Sequence, residues 1–285
     1  MSQNNLVSIH SDITSNYIEI DDTKIHYLSV GTGDAILMIH GWPTASYLWR
    51  NVMLPLAKNK HVIAIDLPGL GKSSKSLKES YSFNYYEKII SQFLNQLKID
   101  KVNLVVHDLG GPVGLMWAVR NPDKVSSLVL LNTLVYPEMS WAVKLFMLMT
   151  FLPGVRNWLS SKSGIIWTMR LGVFNKQNLT PDILENYYLP FEDENSRKAL
   201  LKSVQRLSPK GFKTIAEKLP EFNVPVRLIY GEDDKILPDI AKTMERVKHD
   251  LPQAELFSIP NCGHFLQEDE PEKIAQLMEE FYSAN

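Results

Sequence analysis

Three ionisable side chains stand just past the ends of short apolar runs. Asp108 follows N-L-V-V-H (103–107), Asp234 follows V-R-L-I-Y (226–230) across Gly231, Glu232 and Asp233, and His264 follows E-L-F-S-I (255–259). In V-V-H-D-L-G-G (105–111) a strand runs straight into a helix. A sharp strand-to-helix turn exposes the residue at its apex, and Gly110 supplies the bare backbone such a turn needs. At that apex, beside a helix N-terminus whose dipole favours an anion, Asp108 reads as an ionised nucleophile. The same position would suit a helix cap, since aspartate is a common N-cap. The partners at the other strand ends decide for chemistry. A histidine near neutral pKa is the natural base for activating water, and a carboxylate beside it holds the imidazole in one tautomer. His264 takes the first part and Asp234 the second, with Glu232 and Asp233 as its neighbouring rivals. His107 reads as a support behind the nucleophile and His40 as a residue that shapes its loop. There is no G-x-S-x-G, and Cys262 is not at a turn of this kind.

The elements that must position these groups follow from the hydrophobic pattern. Y-I-E-I (17–20) and K-I-H-Y-L-S-V (24–30) flank Asp21-Asp22 and predict a hairpin. Six further strands are expected at 35–39, 61–65, 103–107, 127–131, 226–230 and 255–259. These are almost wholly apolar, as strands covered on both faces should be. Helical periodicity lies near 47–58, 83–98, 110–120, 238–248 and 271–283. The alternation predicts an α/β fold with a mostly parallel eight-stranded sheet flanked by helices, and ligands bind such sheets at the strands' carboxyl ends. Between Leu131 and Val226 no strand appears, and 139–209 reads as short helices broken by Pro153-Gly154, Gly164, Gly172 and Pro181. A loop of that length is implausible, so a helical cap over 136–209 is expected, inserted into a core of 1–135 and 210–285. Its first helix, S-W-A-V-K-L-F-M-L-M-T-F (140–151), is apolar on almost every face and is expected to be buried. Trp141 and Phe146 on it are candidate substrate contacts.

Composition narrows the function. The chain has 285 residues, with 30 basic against 32 acidic side chains and a net charge of −2. That leaves no strong field for a polyanion, so nucleic-acid binding is not expected. One cysteine excludes an internal disulfide and a thiolate zinc cluster, and the seven histidines form no H-E-x-x-H. No metal site is expected. The first twelve residues lack the pattern of a signal peptide, and Trp141–Leu152 is too short for a span, so a cytoplasmic protein without a membrane span is the expectation. Two sequence features resemble nucleotide loops. Gly69-Leu70-Gly71-Lys72-Ser73 ends like a phosphate loop, but the required earlier glycine is Asp66. Gly31-Thr32-Gly33 lacks the third glycine of a dinucleotide fingerprint.

From about Tyr17 to Phe281 the chain is similar to the α/β-hydrolase superfamily and, within it, to the aspartate-nucleophile branch. H-G-W-P-T-A-S-Y-L-W-R-N (40–51), D-L-P-G-L-G-K-S (66–73), H-D-L-G-G (107–111), L-T-P-D-I-L-E-N-Y-Y-L-P-F (179–191) and G-H-F-L-Q-E-D (263–269) resemble haloalkane dehalogenases. H-G-W-P, L-N-T (131–133) and the acid at Asp234 resemble epoxide hydrolases equally. The resemblance implies two steps on a small apolar substrate and water, with no cofactor. Asp108 attacks an sp3 carbon to give an alkyl ester, and His264 activates the water that hydrolyses it. The backbone N–H groups of Trp42 and Leu109 would hold the oxyanion. Dehalogenases carry a halide-binding tryptophan after the nucleophile; here it is Leu109, which leaves the Trp42 indole as the candidate donor. Epoxide hydrolases use cap tyrosines, for which Tyr187 and Tyr188 are the candidates; none follows between Leu189 and Arg227. A haloalkane dehalogenase-like hydrolase is the leading expectation and an epoxide hydrolase the rival. A non-catalytic ligand-binding member of the fold is a third reading, which the complete Asp108, Asp234 and His264 set argues against.

Overall fold

A computed structural model describes residues 10–285, so the sequence before His10, on which the signal-peptide reading rests, lies outside the described residues. Eight strands form one sheet: β1 (Thr14–Ile20), β2 (Thr23–Val30), β3 (Asp34–Ile39), β4 (Lys60–Ile65), β5 (Val102–Asp108), β6 (Val125–Thr133), β7 (Val226–Gly231) and β8 (Glu255–Ile259). Their spatial order is β1-β2-β4-β3-β5-β6-β7-β8. The β1–β2 hairpin and the β2–β4 pair are antiparallel, and every later pairing is parallel.

Alternation along the central strands explains why both sheet faces are covered. Leu37, Ile39, Leu104, Val106, Leu128 and Leu130 enter one core, and Ile36, Met38, Val105 and Val129 enter the other. Successive side chains point to opposite faces, so an unbroken apolar run needs a helical layer on each side. Five helices flank the sheet: α1 (Arg50–Leu56), α2 (Phe83–Gln96), α3 (Gly110–Arg120), α10 (Ile240–Asp250) and α12 (Pro271–Ala284). A short turn of helix, α11 (Leu266–Asp269), precedes the last. Helix α2 packs on α3, and α1 on α12. Ser82 starts α2 by accepting the Tyr85 N–H on its hydroxyl, which satisfies one orphan donor of the first turn.

Between β6 and β7 the chain is helical: α4 (Trp141–Phe151), α5 (Val155–Leu159), α6 (Lys162–Gly172), α7 (Pro181–Tyr188), α8 (Glu194–Gln205) and α9 (Pro209–Lys218). This inserted region caps the carboxyl ends of the strands, and α9 returns to pack on α3. Helix α4 departs from expectation. Only Val143 and Thr150 on it are buried, while Trp141 is 71% exposed and Leu145, Leu148 and Phe151 are also exposed. It packs by one side on α5 and α8. No helix among the described residues is long and apolar enough to cross a membrane.

Candidate active site

The parallel register aligns the ends of β3, β5, β7 and β8, so the loops that follow them meet above the sheet. Asp108 ends β5 with φ +48, in the left-handed region. A non-glycine residue there stores about 1–3 kcal/mol and persists only where its surroundings fix it. Two glycines make the turn possible. A Cβ on Gly41 would lie 2.3 Å from Asp108 Oδ1, and one on Gly110 would lie 2.4 Å from the Ile39 carbonyl oxygen. The Thr133 hydroxyl donates to the Asp108 carbonyl at 2.7 Å and ties the elbow to β6.

The Asp108 carboxylate is held from two sides. Its Oδ1 accepts the Trp42 backbone N–H at 2.7 Å. Its Oδ2 lies 3.3 Å from His264 Nε2, within ionic reach though off the line of a good hydrogen bond. His264 Nδ1 meets Asp234 Oδ2 at 2.8 Å. Asp234 Oδ1 accepts backbone N–H groups from Ile236 (2.8 Å) and Leu237 (2.7 Å), and Oδ2 also accepts the Asn132 amide N–H at 2.7 Å. An acceptor so fully engaged fixes the imidazole in one orientation, with Nδ1 as donor. Glu232 and Asp233 are exposed and face elsewhere; Glu232 accepts from the Ser258 hydroxyl at 2.6 Å. His107 supports the arrangement from beneath, its Nε2 meeting the His264 carbonyl at 2.9 Å. His40 Nδ1 meets the Gly41 carbonyl at 2.9 Å, and its Nε2 accepts the Leu67 N–H at 3.1 Å.

Charge follows from these contacts. Burial alone would raise the Asp108 pKa, but His264, His107 and the Leu109 backbone N–H outweigh it and hold the carboxyl below its usual range. Burial alone would lower the His264 pKa, but Asp234 and Asp108 together push it up to about 10. Asp108 is thereby held toward its charged form and His264 toward the imidazolium. His107 goes the other way: burial and the neighbouring His264 charge lower it to about 3, so it stays neutral.

Asp108 opens into a cavity of about 370 Å³, walled mainly by apolar side chains that include Leu109, Trp141, Phe146 and Trp167. Few polar groups reach it. The Thr168 hydroxyl is engaged with the Gly164 carbonyl at 3.0 Å, and Lys235 stands exposed at the rim. Trp42 also lines the cavity, but its indole N–H donates to the Leu200 carbonyl at 3.1 Å, and its ring meets Phe146 edge-on at 4.9 Å. That indole is not free to bind a leaving group. Tyr187 and Tyr188, expected as substrate contacts, lie outside the lining. Tyr187 is buried and donates to Glu268, itself in a bidentate pair with Arg50 at 2.6 and 2.8 Å. The Tyr188 oxygen accepts from Lys162 Nζ at 2.8 Å. Tyr187 thus ties the cap to the core, and Tyr188 ties α7 to α6.

Two positions carry more than their sequence signal promised. Asn132, with φ +25, bridges Asp234 and the Gly231 N–H (3.0 Å), and Thr133 anchors the elbow. The sequence marks them only as a polar pair ending an apolar strand on this rim and as part of the L-N-T motif. The phosphate-loop resemblance dissolves: Asp66 accepts the Ser46 N–H (2.5 Å) and the Lys72 N–H (2.7 Å) and meets His26 Nδ1 at 2.8 Å. The chain's own carboxylate takes donors that a phosphate would need. Among the described residues no group of three or more His, Cys, Asp or Glu could hold a metal.

With an elbow carboxylate, a paired histidine and a helical cap over a parallel sheet, the chain belongs to the α/β-hydrolase fold family, whose match spans residues 34–271. It is closely related to the haloalkane dehalogenase and epoxide hydrolase branch. The chain is 31% identical to an uncharacterised hydrolase, YugF, of Bacillus subtilis, with 90% of this chain and 92% of the relative covered. It is 28% identical to a haloalkane dehalogenase of Psychrobacter cryohalolentis (95% and 92% covered). It is 27% identical to a cis-3-alkyl-4-alkyloxetan-2-one decarboxylase of Shewanella oneidensis (93% and 87%). The crystal structure of the haloalkane dehalogenase DatA from Agrobacterium tumefaciens superposes with a TM-score of 0.84 at 24% identity, over 96% of this chain and 97% of that one. At that identity the superposition speaks for the fold.

Proposed function

We propose that the protein is a hydrolase that takes a small apolar electrophile through an alkyl ester on Asp108, in the manner of a haloalkane dehalogenase. The observation that carries this is the Asp108 carboxyl group facing an apolar cavity, with His264 3.3 Å from one of its oxygens. Asp108 Oδ2 attacks an sp3 carbon and expels the leaving group with its bonding pair. Esterification removes the Asp108 charge, so His264 loses one of the two carboxylates that raise its pKa and can release a proton. As a neutral base it takes a proton from water while the water oxygen attacks the Asp108 carbonyl carbon. The oxyanion then forms on Oδ1, where the Trp42 N–H already sits at 2.7 Å, with the Leu109 backbone N–H beside the same carboxyl. One such donor lowers the barrier by about 3 kcal/mol. Collapse breaks the bond to the alkyl oxygen, which leaves as the alcohol with the proton His264 holds, and the acid proton left on Asp108 passes back to His264.

The leaving group distinguishes the readings. Neither Leu109 nor Trp42 offers a free side-chain N–H to a halide, and no tyrosine lines the cavity among the described residues. An epoxide oxygen leaves as a strongly basic alkoxide and needs a proton donor, so this cavity suits it least. A bromide or iodide leaves with less help. A second reading rests on the same lack of an indole or phenol donor in the lining. A four-membered β-lactone opened at its sp3 carbon expels its own carboxylate, which needs no proton. Loss of carbon dioxide then returns the electron pair through the forming alkene to release Asp108. The relative from Shewanella oneidensis gives this reading its weight. A parallel turnover screen tests all three, reading halide from bromoalkanes, diol from epoxides, and alkene with carbon dioxide from 3,4-dialkyl-oxetan-2-ones. Halide release that Asp108→Ala abolishes supports the first reading, and turnover that survives in Asp108→Ala refutes the nucleophile altogether.

A further inference from the structure

We propose that the outer face of the cap docks on an anionic lipid surface, so that the mouth of the cavity opens against the membrane. Helix α4 carries Trp141, Leu145, Leu148 and, at its C-cap, Leu152, spaced by four, three and four residues. That spacing puts them on one stripe of a helix, and all four are exposed, as is Phe151 beside them. Trp158 on α5 and Trp167 on α6 are also exposed and lie against each other, with ring centroids 5.4 Å apart. An exposed apolar patch of this kind marks an interaction site, and tryptophan with lysine and arginine is the make-up of helices that lie in a membrane interface.

Charge selects the partner. From Met139 to Pro181 the chain has five basic residues (Lys144, Arg156, Lys162, Arg170 and Lys176) and no acidic one, while the protein as a whole is at −2. Lys144 lies within the α4 stripe and Arg170 one turn beyond Trp167. A cationic, apolar, tryptophan-bearing face is complementary to anionic headgroups over acyl chains, and each basic residue near such a surface strengthens binding by roughly fivefold. The face is continuous with the cavity: Trp141, Leu145 and Trp167 are exposed and also line it. An apolar substrate dissolved in the bilayer would then pass to Asp108 without crossing water. Docking needs no turnover, so it stands or falls independently of the proposed chemistry.

The test is co-sedimentation of the whole protein with vesicles of phosphatidylcholine alone and of an equal mixture with phosphatidylglycerol, with tryptophan emission read in parallel. Binding to the mixed vesicles is expected, with a blue shift and with weakening as salt rises. Leu148 and Phe151 do not line the cavity, so Leu148→Glu with Phe151→Ser should reduce vesicle binding tenfold or more while leaving the thermal midpoint unchanged. Lys144→Glu with Arg170→Glu should reduce it on mixed vesicles alone. Failure of the folded protein to bind either vesicle overturns the proposal. So does binding that the variants leave untouched. Self-association in solution that Leu148→Glu abolishes, without vesicle binding, assigns the face to a second copy instead.

Discussion

Leu109→Trp tests the leaving-group argument where it is sharpest. Leu109 lines the cavity with 7% of its surface exposed, directly after Asp108, and another candidate donor, the Trp42 indole, is committed to the Leu200 carbonyl. An indole N–H at this position would face the departing halide and leave the Leu109 backbone donor in place. A hydrogen bond to a charged group contributes about 1.5–3 kcal/mol, and each 1.36 kcal/mol at the barrier is tenfold in rate, so the alkylation step should accelerate by roughly ten- to a hundredfold. The larger ring enters a cavity of about 370 Å³ that already holds Phe146 and Trp42, and overpacking would cost about 1–3 kcal/mol of stability. The assay is single-turnover halide release from a bromoalkane, with ester formation followed by intact mass and folding followed by circular dichroism. Epoxide opening should gain little, because its leaving oxygen needs a proton and not a hydrogen bond alone. A folded Leu109→Trp protein that alkylates no faster, with alkylation shown to limit the rate, refutes the argument that a missing donor at 109 restrains halide departure.

His264→Ala should accumulate a stable alkyl ester on Asp108, visible by mass spectrometry as a stoichiometric adduct; an unmodified protein that still turns over substrate contradicts the two-step scheme. Alkylation should be flat from about pH 5 to 9, since the Asp108 pKa is depressed, whereas ester hydrolysis should fall at low pH as His264 is held protonated, which stopped-flow separation of the steps will resolve. Because the His264 pKa is raised in the fold, its contribution to stability is full below the unfolded value of about 6.5. That contribution is lost as pH rises through about 10, so the thermal midpoint should decline over that interval, and less so in His264→Ala. Glu268→Leu strands the Arg50 guanidinium, only 6% exposed, and removes the acceptor of Tyr187; urea unfolding should record a loss of about 3–5 kcal/mol.

The sheet was legible because its signal is local. Six apolar runs on a β/α beat leave little choice but parallel strands covered on both faces, and the observed strands contain all eight expected runs. The rim residues were legible for a related reason: in a parallel sheet, residues that follow strands share one edge whatever their separation in sequence, so Asp108, Asp234 and His264 could be grouped across more than 150 positions. Period and strand order sufficed for that much.

Direction and commitment of individual side chains were decided only in three dimensions. Asp234 rather than Glu232 or Asp233 meets His264 because the backbone of Ile236 and Leu237 folds back onto its carboxylate. The Trp42 indole and the Tyr187 hydroxyl, free donors on paper, are consumed by Leu200 and Glu268, residues 158 and 81 positions away. Helix α4, apolar on almost every face, carries little periodic cue to which side is covered, so its exposed stripe emerged only with the packing of α5 and α8 on it. A hydrogen-bond donor has one partner at a time and a helix face one neighbour. Those assignments depend on distances between segments remote in the chain, which local pattern does not encode.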